Sequence, residues 1–138
     1  MDYRYATECD APLLAQMNRN LIEDEGHRNQ MTIAELERRM SDWLKAGEYQ
    51  AVLFECDGRA EGYALFRRDT HFIYLRQFFV RRECRRKGKG RAAFQWLKNN
   101  AWTGNPRIRL DVLVGNAVGH AFWRSVGFQD YCMTMELF

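Results

Sequence analysis

Residues 85–90 read Arg85-Arg86-Lys87-Gly88-Lys89-Gly90 and lead into a stretch with helical periodicity. Glycines at a helix start let backbone N–H groups approach a ligand closely, and the helix end adds a partial positive charge of about half a unit. Consecutive N–H groups in such a turn form an anion-binding nest. Seven of the 21 basic residues fall between Arg81 and Arg91, opposed only by Glu83. That segment carries +6, while the other 127 residues, with 14 basic and 17 acidic groups, carry −3. The chemistry implied is recognition of a polyphosphate. A P-loop needs Gly-x-x-x-x-Gly-Lys-Ser/Thr, and a dinucleotide turn needs a third glycine where Ala93 stands, so neither is spelled here.

A second group of reactive side chains lies upstream, in Glu23-Asp24-Glu25-Gly26-His27. These could accept a proton or attract a cation. Residues 70–80 hold no carboxylate; their polar groups include His71, Tyr74, Arg76 and Gln77. Cys9, Cys56, Cys84 and Cys132 are scattered without a Cys-x-x-Cys pair, so no metal site is expected. Four unpaired thiols and an amino terminus without an apolar leader suit a reducing cytoplasm. The longest uncharged run, 112–123, is too short to span a bilayer.

The elements that must position these groups follow from periodicity. Residues 3–6 form a strand candidate. Asp10 is expected to cap a helix to about Ile22, with Leu13, Leu14, Met17 and Leu21 inward. A polar segment follows from Glu23 to Gln30. Thr32 and Glu35 spell a capping box for a second helix, whose face is Ile33, Leu36, Met40, Trp43 and Leu44. Three strands follow: 49–56, 60–68 and 71–80, with Asp57-Gly58 as a hairpin turn. Residues 89–101 read as a helix, 107–114 alternate as a strand, 117–126 form a short helix stopped by Gly127, and 131–138 alternate again. Length and composition indicate a single domain over 1–138, with a mixed, mostly antiparallel sheet flanked by helices: an α+β fold.

Arg85 to Gly90 resembles the Arg/Gln-x-x-Gly-x-Gly/Ala signature of the GCN5-related N-acetyltransferases (GNAT). Phe78-Phe79-Val80 resembles that family's fourth strand. Asn116, Phe122-Trp123 and Val126-Gly127-Phe128 resemble its second signature. The resemblance spans essentially the whole chain and implies the acyl-CoA N-acyltransferase fold. It also implies acetyl-CoA as co-substrate and an amine of a small molecule or protein as acceptor, acetylated by direct attack in a ternary complex. Coenzyme A carries about −4 at neutral pH, which matches the basic segment. By carry-over, Arg85, Arg86, Lys87, Gly88, Lys89 and Gly90 hold the phosphates, with the outward cations on the 3′-phosphate. Main-chain groups of Phe79 and Val80 pair with the cofactor arm, and Asn116 lines it. The arm would lie where the fourth and fifth strands splay, between 73–80 and 107–114.

Two positions depart from that family's pattern. The tyrosine often found seven residues after the asparagine is Trp123, whose indole cannot supply a proton; as a residue it reads as a core aromatic. The glutamate often found on the fourth strand is missing. Glu25 and His27 are therefore the candidate bases, and Tyr74 or Tyr131 the candidate acid, with solvent as the other proton source. Asp24 could draw in a cationic acceptor, and Arg76 could meet a carboxylate on it. An exposed last strand could pair two subunits as a homodimer. A reading from another class is a non-catalytic acyl-CoA-binding or regulatory module on the same fold. A basic RNA-associated protein is the third; no aromatic platform accompanies the basic patch, so nucleic acid is not the expected partner.

Overall fold

Three hydrophobic stretches between Gln50 and Val80 pair as consecutive antiparallel strands and form the centre of the fold. The computed structural model describes residues 1–104 and 106–138. The strands are β1 (Asp2–Tyr5), β2 (Gln50–Cys56), β3 (Arg59–Arg68), β4 (Phe72–Val80) and β5 (Arg107–Arg109). They stand in the order β1-β2-β3-β4-β5, antiparallel except for the parallel pair β4–β5. The helices are α1 (Ala11–Glu25), α2 (Ile33–Ala46), α3 (Lys89–Trp96, widening into a π turn over Leu97–Ala101) and α4 (Ala117–Ser125). This is an α+β fold, as the periodicity predicts.

The sheet buries both faces. Leu14, Met17, Met40, Leu53, Tyr63 and Leu65 pack on the α1/α2 side. Val52, Phe54, Phe66, Leu75, Phe94 and Leu97 pack on the α3 side, joined by Trp102. Each fully buried aliphatic side chain stabilises by about 1.5–3 kcal/mol. The Thr32–Glu35 capping box forms, and Asp57 and Gly58, at φ +53° and +77°, make the hairpin turn.

Several expectations are corrected. α1 does not end near Ile22; it continues through Glu23, Asp24 and Glu25 and stops at Gly26, whose φ of +66° is the left-handed cap. The acidic triplet is thus a helical turn, with its side chains fixed on α1. Asp10 does not cap α1. It closes a capping box with Thr7 one turn earlier and binds Arg4. Ile33, expected inward, is about half exposed. The alternating run 107–114 is a strand only over Arg107–Arg109, and 131–138 forms no strand at all. A three-residue strand offers too short an edge to hold the tail.

Two local irregularities set up the site. Between β3 and β4 the register shifts: Leu65 opposes Gln77, but Phe66 opposes Leu75. Arg76 is the extra residue of a β-bulge. Because of it, the neighbours Arg76 and Gln77 both reach the α1/α2 side, Arg76 onto Trp43 and Tyr49 and Gln77 onto Tyr63. Just before it, β5 leaves β4: the last parallel pair is Tyr74–Arg109.

Candidate functional site

The end of β4 turns through Arg81–Gly88 into α3. A β-strand, crossover helix and parallel strand place the helix start at the carboxyl end of the strand, beside the point where β4 and β5 part. The Ala92 N–H bonds to the Gly88 carbonyl, so by helix geometry the N–H groups of Lys89, Gly90 and Arg91 point out of the helix end. Gly88 caps the helix at φ +73°. Arg86 also stands at φ +63°, a conformation that costs a non-glycine residue about 1–3 kcal/mol and clusters at ligand sites. Gly90 has a packing reason to be glycine as well. A Cβ there would lie 3.2 Å from the Phe122 ring, so this glycine lets α3 and α4 close together.

The cations of the segment divide in two. Arg82 and Arg85 donate to Asp24 at 2.9 and 2.5 Å, and Arg85 also donates to the Val80 carbonyl at 2.7 Å. Arg81 holds the Ala60 carbonyl, Lys89 is paired with Glu61 at 2.5 Å, and Arg91 turns to the Ser125 carbonyl. Arg86 and Lys87 are exposed, with no partner among the described residues. Asp24 therefore latches the end of α1 to the Arg81–Gly88 loop. Burial pushes its carboxyl pKa up, but the hydrogen bonds and charges of Arg85 and Arg82 outweigh that and hold it low.

Beyond Tyr74 the β5 side of β4 is open. Gly62 is required opposite, since a Cβ there would sit 2.1 Å from the Phe79 carbonyl oxygen. That carbonyl thus faces β3, which corrects the expectation that Phe79 offers its main chain to the cofactor arm. By strand alternation the Phe78 and Val80 main-chain groups face the gap. Asn116 caps α4: its side-chain oxygen accepts from the Gly119 N–H at 3.0 Å. Trp123 packs among Phe78, Phe94, Phe122 and Phe128, as a core aromatic should.

On the α1/α2 side, Glu25 is half-buried near Tyr63. Burial, and then the charge of Asp24, push its carboxyl pKa up. The Tyr63 hydroxyl donates to Gln77 Oε1 at 2.7 Å, and its pKa is driven well above that of a free phenol by burial and by the Glu25 charge. His27 is exposed, and its Nδ1 accepts from the Asn29 N–H at 3.1 Å. As placed, that nitrogen is turned back to its own loop. Tyr74 donates to Asp111 at 2.8 Å, and burial together with that hydrogen bond pushes its pKa up to about 12. Giving that proton to a thiolate of pKa near 8.5 would run uphill by about 5 kcal/mol. Tyr131, the other candidate, is 80% exposed beside Arg109.

Several residues here went unread in the sequence. Tyr49 accepts from Arg67 at 2.7 Å and from Arg76 at 3.2 Å. Arg39 lies over Trp43, and Arg67 over the Tyr74 ring. The Arg39–Trp43 spacing of four on a helix was the available signal.

A family model described as the acetyltransferase (GNAT) family matches residues 16–128. Among curated protein sequences nothing matches the chain. Solved structures are similar over 99% of it. A possible acetyltransferase from Clostridium difficile 630 has TM-score 0.82 at 18% identity over 95% of its own chain. A predicted acetyltransferase from Clostridium acetobutylicum, solved with acetyl-CoA, has 0.77 at 22% over 94%. An aminoglycoside N-acetyltransferase in complex with CoA has 0.76 at 16% over 92%.

Proposed function

The chain belongs to the acetyltransferase (GNAT) family, and from that premise we propose that it transfers an acetyl group from acetyl-CoA to an amine of a small molecule or protein. The observation that carries this is one continuous feature. The open β4 edge, free of β5 after Tyr74, runs directly into the outward N–H groups of α3. An extended, polyphosphate-tailed thioester fits such a groove, with its amide-bearing arm along the Phe78 and Val80 main chain. Its phosphates would meet the Gly88–Arg91 turn, with Arg86 and Lys87 free to reach them. The relatives that hold CoA or acetyl-CoA share the fold.

Acetyl-CoA supplies an activated acyl group; the protein must deliver a neutral amine to it. An alkyl ammonium has a pKa near 10, so freeing the amine at pH 7 costs about 4 kcal/mol. Glu25 is the group suited to take that proton. Its half-burial raises its basicity, and no hydrogen-bond partner occupies it among the described residues. The C–N bond forms as the C–S bond breaks, the amine proton passes to Glu25, and the thiolate is protonated from solvent. No enzyme nucleophile is needed. Cys84, the thiol of the anion loop, is buried with its S–H on Glu61.

Thermal melting with acetyl-CoA tests the site. Ligand at about 100 times Kd stabilises by about 2.7 kcal/mol, and Gly88→Glu, which sets a carboxylate in the nest, should remove the shift. An unchanged shift in that variant would place the cofactor elsewhere.

A further inference from the structure

We propose that Arg39 and Arg76, held against the two-ring wall of Trp43 and Tyr49, form an anion site that selects an acceptor amine carrying a carboxylate. This rests on the acetyl-transfer reading and adds the substrate class. Both guanidinium groups lie against one indole, 4.5 and 4.7 Å from the Trp43 ring centroid. Neither has a carboxylate partner among the described residues, whereas nearby Arg67 is paired with Asp69.

Arg39 is the less expected of the two. It rises from α2 into a half-buried position, where one nitrogen donates to the buried Asn18 at 3.4 Å and Nε has no partner. Burial, and then the neighbouring positive charge of Arg76, push its pKa down. Two like charges near each other without an acid are destabilising, and a bound carboxylate would offset that repulsion. Guanidinium groups also favour carboxylates by their planar paired donors. Arg76 reaches this place only because it is the bulge residue of β4.

The site has polarity as well. The charges of Glu25 and Arg39 both reach the Tyr63 phenol, from opposite signs. Glu25 on α1 and the two arginines on α2 and β4 thus set opposite charges on the same side of the sheet. An acceptor with an ammonium at one end and a carboxylate at the other matches that arrangement; a simple alkylamine matches only half.

The test compares amines with their carboxylate intact, converted to carboxamide, or replaced by phosphonate, across several spacer lengths. Acetylation is read as kcat/KM, and binding to the protein saturated with CoA by calorimetry. The carboxylate form should exceed its carboxamide by at least about tenfold in the wild type. In Arg39→Gln and Arg76→Gln that ratio should fall toward one, with acetyl-CoA binding unchanged. Arg76 is exposed, so its variant reports even if Arg39→Gln folds poorly. A ratio near one in the wild type, or one unchanged in both variants, overturns the proposal; a preference for phosphonate over carboxylate overturns the carboxylate assignment. If no amine is acetylated, transfer itself fails. The calorimetric ratio then decides the anion site alone: discrimination lost in the variants supports it, and equal or absent binding of all forms refutes it.

Discussion

Replacing Glu25 by Gln should lower activity and raise stability, two effects of opposite sign from one change. Glu25 is half-buried beside Asp24, and its folded-state pKa is raised. A group with a raised folded pKa contributes stability that is fully present below its unfolded pKa, about 4.3 for Glu. That stability is lost as pH rises through the folded pKa. At pH 8 the wild type therefore carries an uncompensated charge that Gln lacks. The variant should melt higher at pH 8, and the difference should shrink toward zero near pH 4, where both side chains are neutral. Activity should move the other way. A positioned base contributes about 10²–10⁴-fold, so kcat/KM should fall by that factor. The wild-type pH profile should also rise through a limb above the ordinary glutamate range, and the variant should lack it. Melting curves from pH 4 to 8 and thiol-release kinetics over the accessible range measure both. Activity within threefold of wild type, or a variant that melts lower at pH 8, would refute the assignment of Glu25 as a half-buried base.

Tyr74→Phe should reduce kcat/KM by less than about tenfold, because its proton is held by Asp111; a loss of general-acid size in steady-state assays would reverse that view. Asp24→Asn releases Arg82 and Arg85 and should tighten acetyl-CoA binding at low salt, with the gain fading as salt screens the freed charges; titration calorimetry at two ionic strengths reads this. Asp10, Asp24 and Glu61 have folded pKa values held low. Their stability is present above the unfolded pKa and lost as pH falls through the folded one, so the melting temperature should drop steeply below about pH 4. Trp123→Ala should destabilise by about 3 kcal/mol, and Trp123→Tyr should not raise kcat. A rise in kcat would mean that the indole position faces the leaving group after all.

The turn from β4 into α3 was legible because its signals are local. Gly88, the basic run and the helix start lie within a few residues, and a strand, turn and helix in that order have one plausible arrangement. The capping box at Thr32 and the Asp57-Gly58 turn were legible for the same reason. The acceptor side was not. Arg39, Tyr49, Arg67 and Arg76 come from α2, the segment before β2, β3 and β4, and Arg76 joins the others only because a bulge turns it out of strand alternation. No period in the sequence announces a bulge. The tail failed for the opposite reason: residues 131–138 alternate well, but alternation cannot show whether a paired edge is there to receive them. The acidic triplet is visible in the sequence, but which carboxylate meets the loop arginines and which lies near Tyr63 is not. That was fixed by the unforeseen last turn of α1.

The most direct measurement is release of free thiol from acetyl-CoA with a panel of amines, with the N-acetylated product identified by mass spectrometry. Amine-dependent release, with the acetyl group recovered on the amine and lost in Gly88→Glu, is the expected result. Acetyl-CoA that binds and stabilises the protein, but releases no thiol above background with any amine, would contradict acetyl transfer and leave an acyl-CoA-binding module in its place.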